Sequence, residues 1–332
     1  MRESILVTGG AGYIGSHMVL MLAEQGFDVV TIDNLSRGFQ DAVLAGEFVQ
    51  GDLTDSVALD RVFSSRQFAA VLHFAALAYV GESVEQPHLY YHNNLVGSVT
   101  LFDAMRRHGV DHCIFSSTCS TFGEPQYVPI DEVHPQHPIT PYGRSKWMIE
   151  QILADYGAAL GLKSISLRYF NAAGADPAGR LGNRSVPQAR LIPLVVQAAS
   201  GRNPSVSVFG RDFPTPDGTG VRDYIHVTDL CQAHLLALQR LLDGAGSTTY
   251  NLSNGQGVSV QEVINVVQEI TGRPIPVVEG PRRSGDPAAL VGDSRRATSE
   301  LGWKPQYSDL RTIIAHEWTW EQHLCRTLGV PT

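Results

Sequence analysis

No run of apolar residues in this chain is long enough to cross a bilayer, and no repeat, low-complexity segment or block of like charge interrupts it. Cysteine is scarce. The four present (Cys113, Cys119, Cys231 and Cys325) form no C-x-x-C pair and no metal-type spacing, so neither a disulfide scaffold nor a metal site is expected. Such usage fits a reducing compartment. Positive charge is also in deficit: 25 Lys and Arg stand against 33 Asp and Glu, a net charge of −8, which argues against nucleic acid as a partner. Met1-Arg2-Glu3-Ser4 leads straight into a strand-like run and leaves no room for a signal peptide, so a cytoplasmic location is expected, with no membrane partner. At 332 residues the chain has length for about two domains.

What is present is an alternation of strands and helices. Ile5-Leu6-Val7-Thr8 is short, apolar and β-branched, as expected of a strand buried on both faces. It feeds Gly9-Gly10-Ala11-Gly12-Tyr13-Ile14-Gly15, then a helical pattern ending at Gly26, then a second strand from Phe27 to Asp33. Glycines at 9, 12 and 15 permit a tight turn and let backbone N–H groups approach a pyrophosphate at a helix N-terminus. Asp33 closes the second strand, where a carboxylate accepts hydrogen bonds from a ribose hydroxyl and repels a 2′-phosphate. Together these predict a dinucleotide site that prefers NAD to NADP, although Arg37 nearby could serve a phosphate. Phe48 to Leu53 ends a third strand, with Asp52 placed to reach the adenine edge. Ala69 to Ala76 forms a fourth, whose small residues would let a cofactor lie against the backbone. His73 within it reads as a packed strand histidine. One long helix is expected from Tyr90 to His108, and a fifth strand from Cys113 to Thr118.

Tyr142 and Lys146 stand four residues apart where the apolar spacing of Trp147, Met148, Ile149, Ile152 and Leu153 turns helical, so both project from one face. A phenol is a poor base at neutral pH, and a fixed cation nearby favours the phenolate. The pair suits moving a proton on and off a sugar or alcohol hydroxyl. Thr118, at a strand end where ligands gather in such sheets, could share that proton. After Asn171 the alternation breaks. A Gly/Pro-rich segment from Ala172 to Pro187 reads as a long surface loop, followed by short strands at 206–209 and 250–252 and helices near 190–200, 228–242, 260–271 and 308–323.

The Gly9-to-Gly15 turn, Asp33, Thr118, Tyr142 and Lys146 together resemble the extended short-chain dehydrogenase/reductase family. The runs Val80-Gly81-Glu82-Ser83-Val84, Leu167-Arg168-Tyr169-Phe170-Asn171 and Gly218-Thr219-Gly220-Val221-Arg222-Asp223-Tyr224 narrow the likeness to its UDP-hexose 4-epimerases. The resemblance implies a doubly wound parallel Rossmann sheet over residues 1–171. Residues 172–332 would be mainly a smaller mixed α/β lobe for a UDP-sugar, with some late segments returning to the first domain. It implies NAD held by Gly9, Gly12, Tyr13, Ile14, Gly15, Asp33, Asn34, Leu35, Asp52, Leu53, Phe74, Ala75, Ala76, Asn93, Tyr142, Lys146 and Phe170. Catalysis would fall to Tyr142, Lys146 and Thr118: Tyr142 would take the 4-OH proton while NAD takes the C4 hydride, giving a transient 4-keto sugar. Lys146 would lower the tyrosine pKa and bond the nicotinamide ribose. The UDP-hexose would be held by Thr118, Tyr142, Asn171, Arg190, Leu191 and Val208, with Phe209 near the uracil, Arg222 and Arg283 on the pyrophosphate, Asp286 on the ribose and Leu290 near the sugar. Arg282 lies beside Arg283, and the sequence does not separate the two. A homodimer joined through the helices after the fourth strand and at Tyr142 is implied in the same way.

Family dehydratases carry an Asp-Glu pair directly after the Thr that ends the fifth strand. Cys119 and Ser120 stand there in this chain and supply no carboxylate, which counts against dehydration and against decarboxylases that keep the Glu. Epimerisation of a UDP-pentose or UDP-uronic acid, or a non-catalytic nucleotide-sugar sensor, remain the competing readings. The chain departs from the family at three positions: Ala78 for a cofactor-contacting Lys, Arg190 for an Asn or His near the sugar and phosphates, and Leu290 for a bulky Tyr. Leu290 leaves room at C2, and some tolerance of N-acetylated UDP-hexoses is expected.

Overall fold

The structure, a computed structural model, describes residues 2–283 and 286–330. In chain order the strands are β1 (Ser4–Thr8), β2 (Asp28–Asp33), β3 (Glu47–Gln50), β4 (Phe68–His73), β5 (His112–Thr118), β6 (Lys163–Tyr169), β7 (Asn171–Ala173), β8 (Val206–Phe209), β9 (Val221–His226), β10 (Thr248–Leu252), β11 (Gly257–Ser259), β12 (Val277–Gly280) and β13 (Ala289–Leu290). Seven of them make one parallel sheet in the order β10-β6-β5-β4-β1-β2-β3.

Alternate side chains of these strands feed opposite faces, the pattern of a sheet covered on both sides. Ile5, Val7, Leu72, Ile114 and Ile165 pack with Met18, Val19 and Leu22 of helix Tyr13–Glu24 and with Leu230, Leu238 and Leu241 of helix Val227–Leu242. Leu6, Val30, Ile32, Val71 and Phe115 pack instead with Leu59, Val62, Leu101, Met105, Ile149 and Leu153 from the helices Ser56–Ser65, Gly97–Arg107 and Pro141–Leu160. The chain is therefore α/β and doubly wound. A second core gathers Ile192, Val195, Val206, Val208, Val263, Val267, Ile313 and Ile314. Small sheets flank it: β9 pairs with β7, β11 and β13, and β8 pairs with β12.

Two expectations are corrected. The single helix from Tyr90 to His108 is instead a helix Pro87–Tyr90, a π-helical turn Tyr91–Val96 and a helix Gly97–Arg107. The wide turn accommodates Asn94, whose buried amide accepts from the Leu77 N–H at 2.8 Å and donates to the Leu77 carbonyl at 3.0 Å. The segment from Ala172 to Pro187 is not all surface loop. It begins in β7 and buries Ala175, Leu181 and Asn183, with the Trp320 indole packed so close on Gly182 that an added Cβ would lie 2.3 Å from the ring.

Candidate active site

The segments that follow β1 to β5 all lie at the carboxyl edge of the parallel sheet. After β1 the backbone turns at Gly9, with φ at +72°, and Gly12 stands at the N-cap of helix Tyr13–Glu24 with no side chain capping it. A Cβ on Gly9 would lie 2.5 Å from the Ala75 nitrogen, and one on Gly15 would lie 2.2 Å from the Gly9 carbonyl oxygen. Only glycine allows the two loops and the first helical turn to come this close. The uncapped N–H groups at that turn, with the positive end of the helix dipole, make a cradle for phosphate oxygens. Beside it Tyr13 donates its hydroxyl to the Gly174 carbonyl at 2.5 Å.

Asp33 ends β2 at the rim of the cradle. Its carboxylate accepts from the Ala11 N–H at 3.0 Å and from the Leu35 N–H at 2.8 Å, and Leu35 takes a positive φ of 59° to make that bond. Burial raises the Asp33 pKa, while the two N–H donors oppose the rise. After β3, Asp52 accepts from the Asn34 amide at 2.8 Å and from both donors of Thr54. Burial works against these bonds, but they win and its pKa is lowered. Leu53 is buried next to it. Arg37 is engaged elsewhere: it pairs with Glu82 and donates to the Val186 carbonyl at 3.3 Å. After β4, Phe74 and Ala75 bond back to Thr8, and Phe74 packs on His234 with 4.7 Å between ring centroids. Asn93, on the π-helical turn, donates to Asn94 at 2.9 Å. His73 is buried between Thr8 (2.7 Å) and Ser98 (2.8 Å), and burial lowers its pKa to about 3, so it is a neutral packing residue. Glycines no methyl can replace, an uncapped helix start and an acid at the end of β2 suit an adenine dinucleotide without a 2′-phosphate.

Thr118 ends β5, and helix Pro141–Leu160 starts beside it. Thr140 caps that helix by accepting from the Gly143 N–H at 3.2 Å, and Pro141 occupies the first turn, where its missing donor costs nothing. This places Tyr142 and Lys146, both buried, under the end of the sheet. Burial drives the Tyr142 pKa well above that of a free phenol, while the Thr118 hydroxyl and the charge of Arg190 favour the phenolate. Lys146 is held on β5. Its Nζ donates to the Ser116 carbonyl at 2.8 Å and lies 4.8 Å from the centroid of the Phe115 ring. A buried ammonium is drawn to the nearest carbonyl, and here that is on β5. Burial lowers the Lys146 pKa to about 7, against the pull of Glu150.

The far wall comes from the second half of the chain. Asn171, opening β7, donates to the Asp223 carbonyl at 3.0 Å, and Phe170 is buried against Gly292. In the sheet beside it Leu290 stands opposite Arg222, whose charge also reaches Cys119 just past β5. Arg222 pairs with Asp286, Nη2 to carboxylate at 2.6 Å. Arg190 occupies the N-cap position of helix Leu191–Ser200, with no side-chain bond to the helix, and lies 5.3 Å from the centroid of the Tyr13 ring. Val208 is buried, whereas Phe209 after it carries the Arg283 guanidinium 3.9 Å over its ring. Arg282 turns the other way to Asp212, at 2.8 Å, and over Phe213. Sequence reasoning missed Glu150, legible only as a third residue at four-residue spacing, and Glu317, for which no local signal exists.

A parallel α/β sheet with a dinucleotide cradle and a buried Tyr/Lys pair at its carboxyl edge defines a nucleotide-cofactor enzyme. The model of the NAD dependent epimerase/dehydratase family matches residues 5–253, and the chain belongs to that family. The UDP-glucose 4-epimerase of Halalkalibacterium halodurans is 49% identical over 319 residues, covering 96% of each chain. Among solved structures, UDP-glucose 4-epimerase from Brucella ovis in complex with NAD is 48% identical, covers 96% of this chain and 99% of its own, and superposes with a TM-score of 0.93. The enzyme from Stenotrophomonas maltophila with bound NAD and formylated UDP-arabinopyranose is 41% identical, covers 98% and 100%, and gives a TM-score of 0.94.

Proposed function

We propose that this protein is an isomerase, an NAD-dependent 4-epimerase that interconverts UDP-glucose and UDP-galactose through a transient 4-keto sugar. The observation that carries the reading is that Thr118, bonded to Tyr142, and the Gly9–Gly15 cradle stand at the same carboxyl edge of one parallel sheet, with Lys146 on the Tyr142 helix. Relatives named UDP-glucose 4-epimerase over nearly their whole length support it. NAD, when bound, accepts the hydrogen from C4 of the sugar and returns it. Tyr142 takes the proton from the 4-OH and gives it back, with Thr118 sharing that proton, and Lys146 supplies positive charge beneath the site. Arg222 and Arg283 present planar donors to the pyrophosphate, so the UDP end stays anchored while the sugar turns. Asn171 and Arg190 border the sugar, and Asp286 meets the ribose.

Residues 1–171 serve mainly the cofactor and residues 172–332 mainly the UDP-sugar. The exposed apolar side chains Val80, Val84, Leu89 and Val96, all on helices after β4, support a homodimer. Among the described residues no helix is long and apolar enough to cross a membrane, and the cysteine usage favours a cytoplasmic location. A second reading, 4-epimerisation of a UDP-pentose, is favoured by the formylated UDP-arabinopyranose in the Stenotrophomonas maltophila relative. Incubation with a panel of UDP-hexoses, UDP-pentoses and UDP-uronic acids, with products read by NMR, decides between them. Tyr142→Phe is expected to cut the preferred conversion by about 10²- to 10⁴-fold while NAD is retained. A Phe variant as fast as wild type would overturn the assignment.

A further inference from the structure

Helix Pro141–Leu160 carries three polar side chains at four-residue spacing: Tyr142, Lys146 and Glu150. The reaction as read above uses the first two. Glu150 is buried, yet its carboxylate is fully engaged: one oxygen accepts from the Ser117 hydroxyl at 2.5 Å and Arg168 Nε at 3.0 Å, the other from Arg168 Nη2 at 2.6 Å and Gln136 at 3.3 Å. Arg168 is equally buried and stands opposite Ser117 in the β5–β6 register. Ser117 lies between Ser116, whose carbonyl receives the Lys146 ammonium, and Thr118. The Glu150 network is thus tied to Ser117, the residue of β5 between the one that receives Lys146 and Thr118.

A buried ion pair by itself is weak evidence of anything beyond packing. The surroundings of Lys146 point further. His73 on β4 is held neutral, with its pKa lowered to about 3, and Cys119 just past β5 is pushed up to about 12. Burial raises the Tyr142 phenol, on the same helix as Lys146, while the Thr118 hydroxyl opposes that rise. Glu150 is the charge that opposes the desolvation of Lys146. Arg168 on β6 is paired with Glu150, its Nη2 2.6 Å from the carboxylate.

We propose that Glu150 is a positioning residue for the epimerisation: through Ser117 and Arg168 it fixes the helix against β5, and its carboxylate keeps the Lys146 ammonium charged while Tyr142 works. The proposal rests on the 4-epimerase reading. Removing the carboxylate takes away the negative charge that favours the ammonium and leaves the buried Arg168 guanidinium without its counter-charge, and both changes favour the neutral amine.

The test is the pH dependence of kcat/KM for UDP-galactose in the NAD-loaded enzyme. Glu150→Gln is expected to move the alkaline limb down by about one pH unit. Arg168→Met, which leaves an unpaired carboxylate beside the lysine, moves it up, and the double variant brings it back near wild type. A purely structural role would lower the amount of active enzyme in all three without moving the limb, and unmoved limbs in both single variants overturn the proposal. If Glu150→Gln does not fold, Arg168→Met decides by the same criterion. The chain has only three lysines (Lys146, Lys163 and Lys304), so the Lys146 titration can also be followed by NMR in ¹³C-lysine-labelled protein. A wild-type enzyme that converts no UDP-sugar would sink the reading of the reaction, and the NMR midpoints of wild type and variants would still judge Glu150.

Discussion

Arg222 and Asp286 face each other across the second lobe, Nη2 to carboxylate oxygen at 2.6 Å, and the same guanidinium donates to the carbonyls of Val221 (2.8 Å) and Pro287 (3.1 Å). Both residues are expected on the UDP end of the substrate. Arg222 is thereby held in one orientation before it meets a phosphate, which reduces the ordering cost of binding. Arg222→Met is expected to raise KM for UDP-galactose by about tenfold or more, the worth of one lost charged hydrogen bond, while kcat falls less. Steady-state kinetics, with NAD content measured after denaturation to show that the cofactor site is intact, checks this.

Gly15 tests the cradle. An added methyl would lie 2.2 Å from the Gly9 carbonyl oxygen and 2.9 Å from the Gly10 Cα, both backbone atoms with no freedom to swing away. Gly15→Ala is expected to purify with little or no NAD and to unfold at a lower temperature, read by absorbance of the released cofactor and by a thermal melt.

Leu290 stands opposite Arg222 in the β9–β13 pairing and packs against the main core. With an aliphatic side chain there, turnover of UDP-N-acetylglucosamine beside that of UDP-glucose is expected, and Leu290→Tyr should suppress the N-acetylated reaction selectively. Undetectable N-acetyl turnover in the wild type would refute the expectation.

Glu317, on helix Leu310–Leu328, is buried, and one of its carboxylate oxygens has no partner. Burial pushes its pKa up to about 8, helped by repulsion from Glu321, while Arg190 and the Gly174 N–H pull the other way. A carboxyl whose folded pKa is raised binds its proton more tightly in the native state. Its contribution is complete below the unfolded pKa of about 4.3 and is lost as pH rises through the folded value. Glu317→Gln mimics the protonated form. Its melting temperature relative to wild type is therefore expected to improve between pH 6 and pH 9, measured by thermal melts at both.

The parts of this molecule legible from sequence are those whose partners lie nearby in the chain. The Gly9–Gly15 turn, with Asp33 at the next strand end, is one βαβ unit, and its glycines announce the close backbone approach. The Tyr142/Lys146 spacing is likewise local, but the direction of Lys146 was set by the Ser116 carbonyl, 30 residues away in sequence, and not by its helical neighbour. Arg37 illustrates the same limit. Its approach to a ribose phosphate was open on sequence alone, and what engages it is Glu82, 45 residues on, and the Val186 carbonyl, 149 residues on. The π-helical turn was invisible because apolar spacing reads a regular helix there, while the inward Asn94 answers to Leu77 on a different loop.

The strand at one edge of the large sheet is β10, residues 248–252, laid beside β6 from a point far along the chain. During synthesis, the first six strands of the large sheet therefore wait with the flank of β6 bare until that late segment leaves the ribosome. A gene cut after residue 171 would give a fragment with a sticky, unpaired border, prone to self-association. Splitting this enzyme into separately expressed halves would succeed only if the second piece were supplied in time to cap that border.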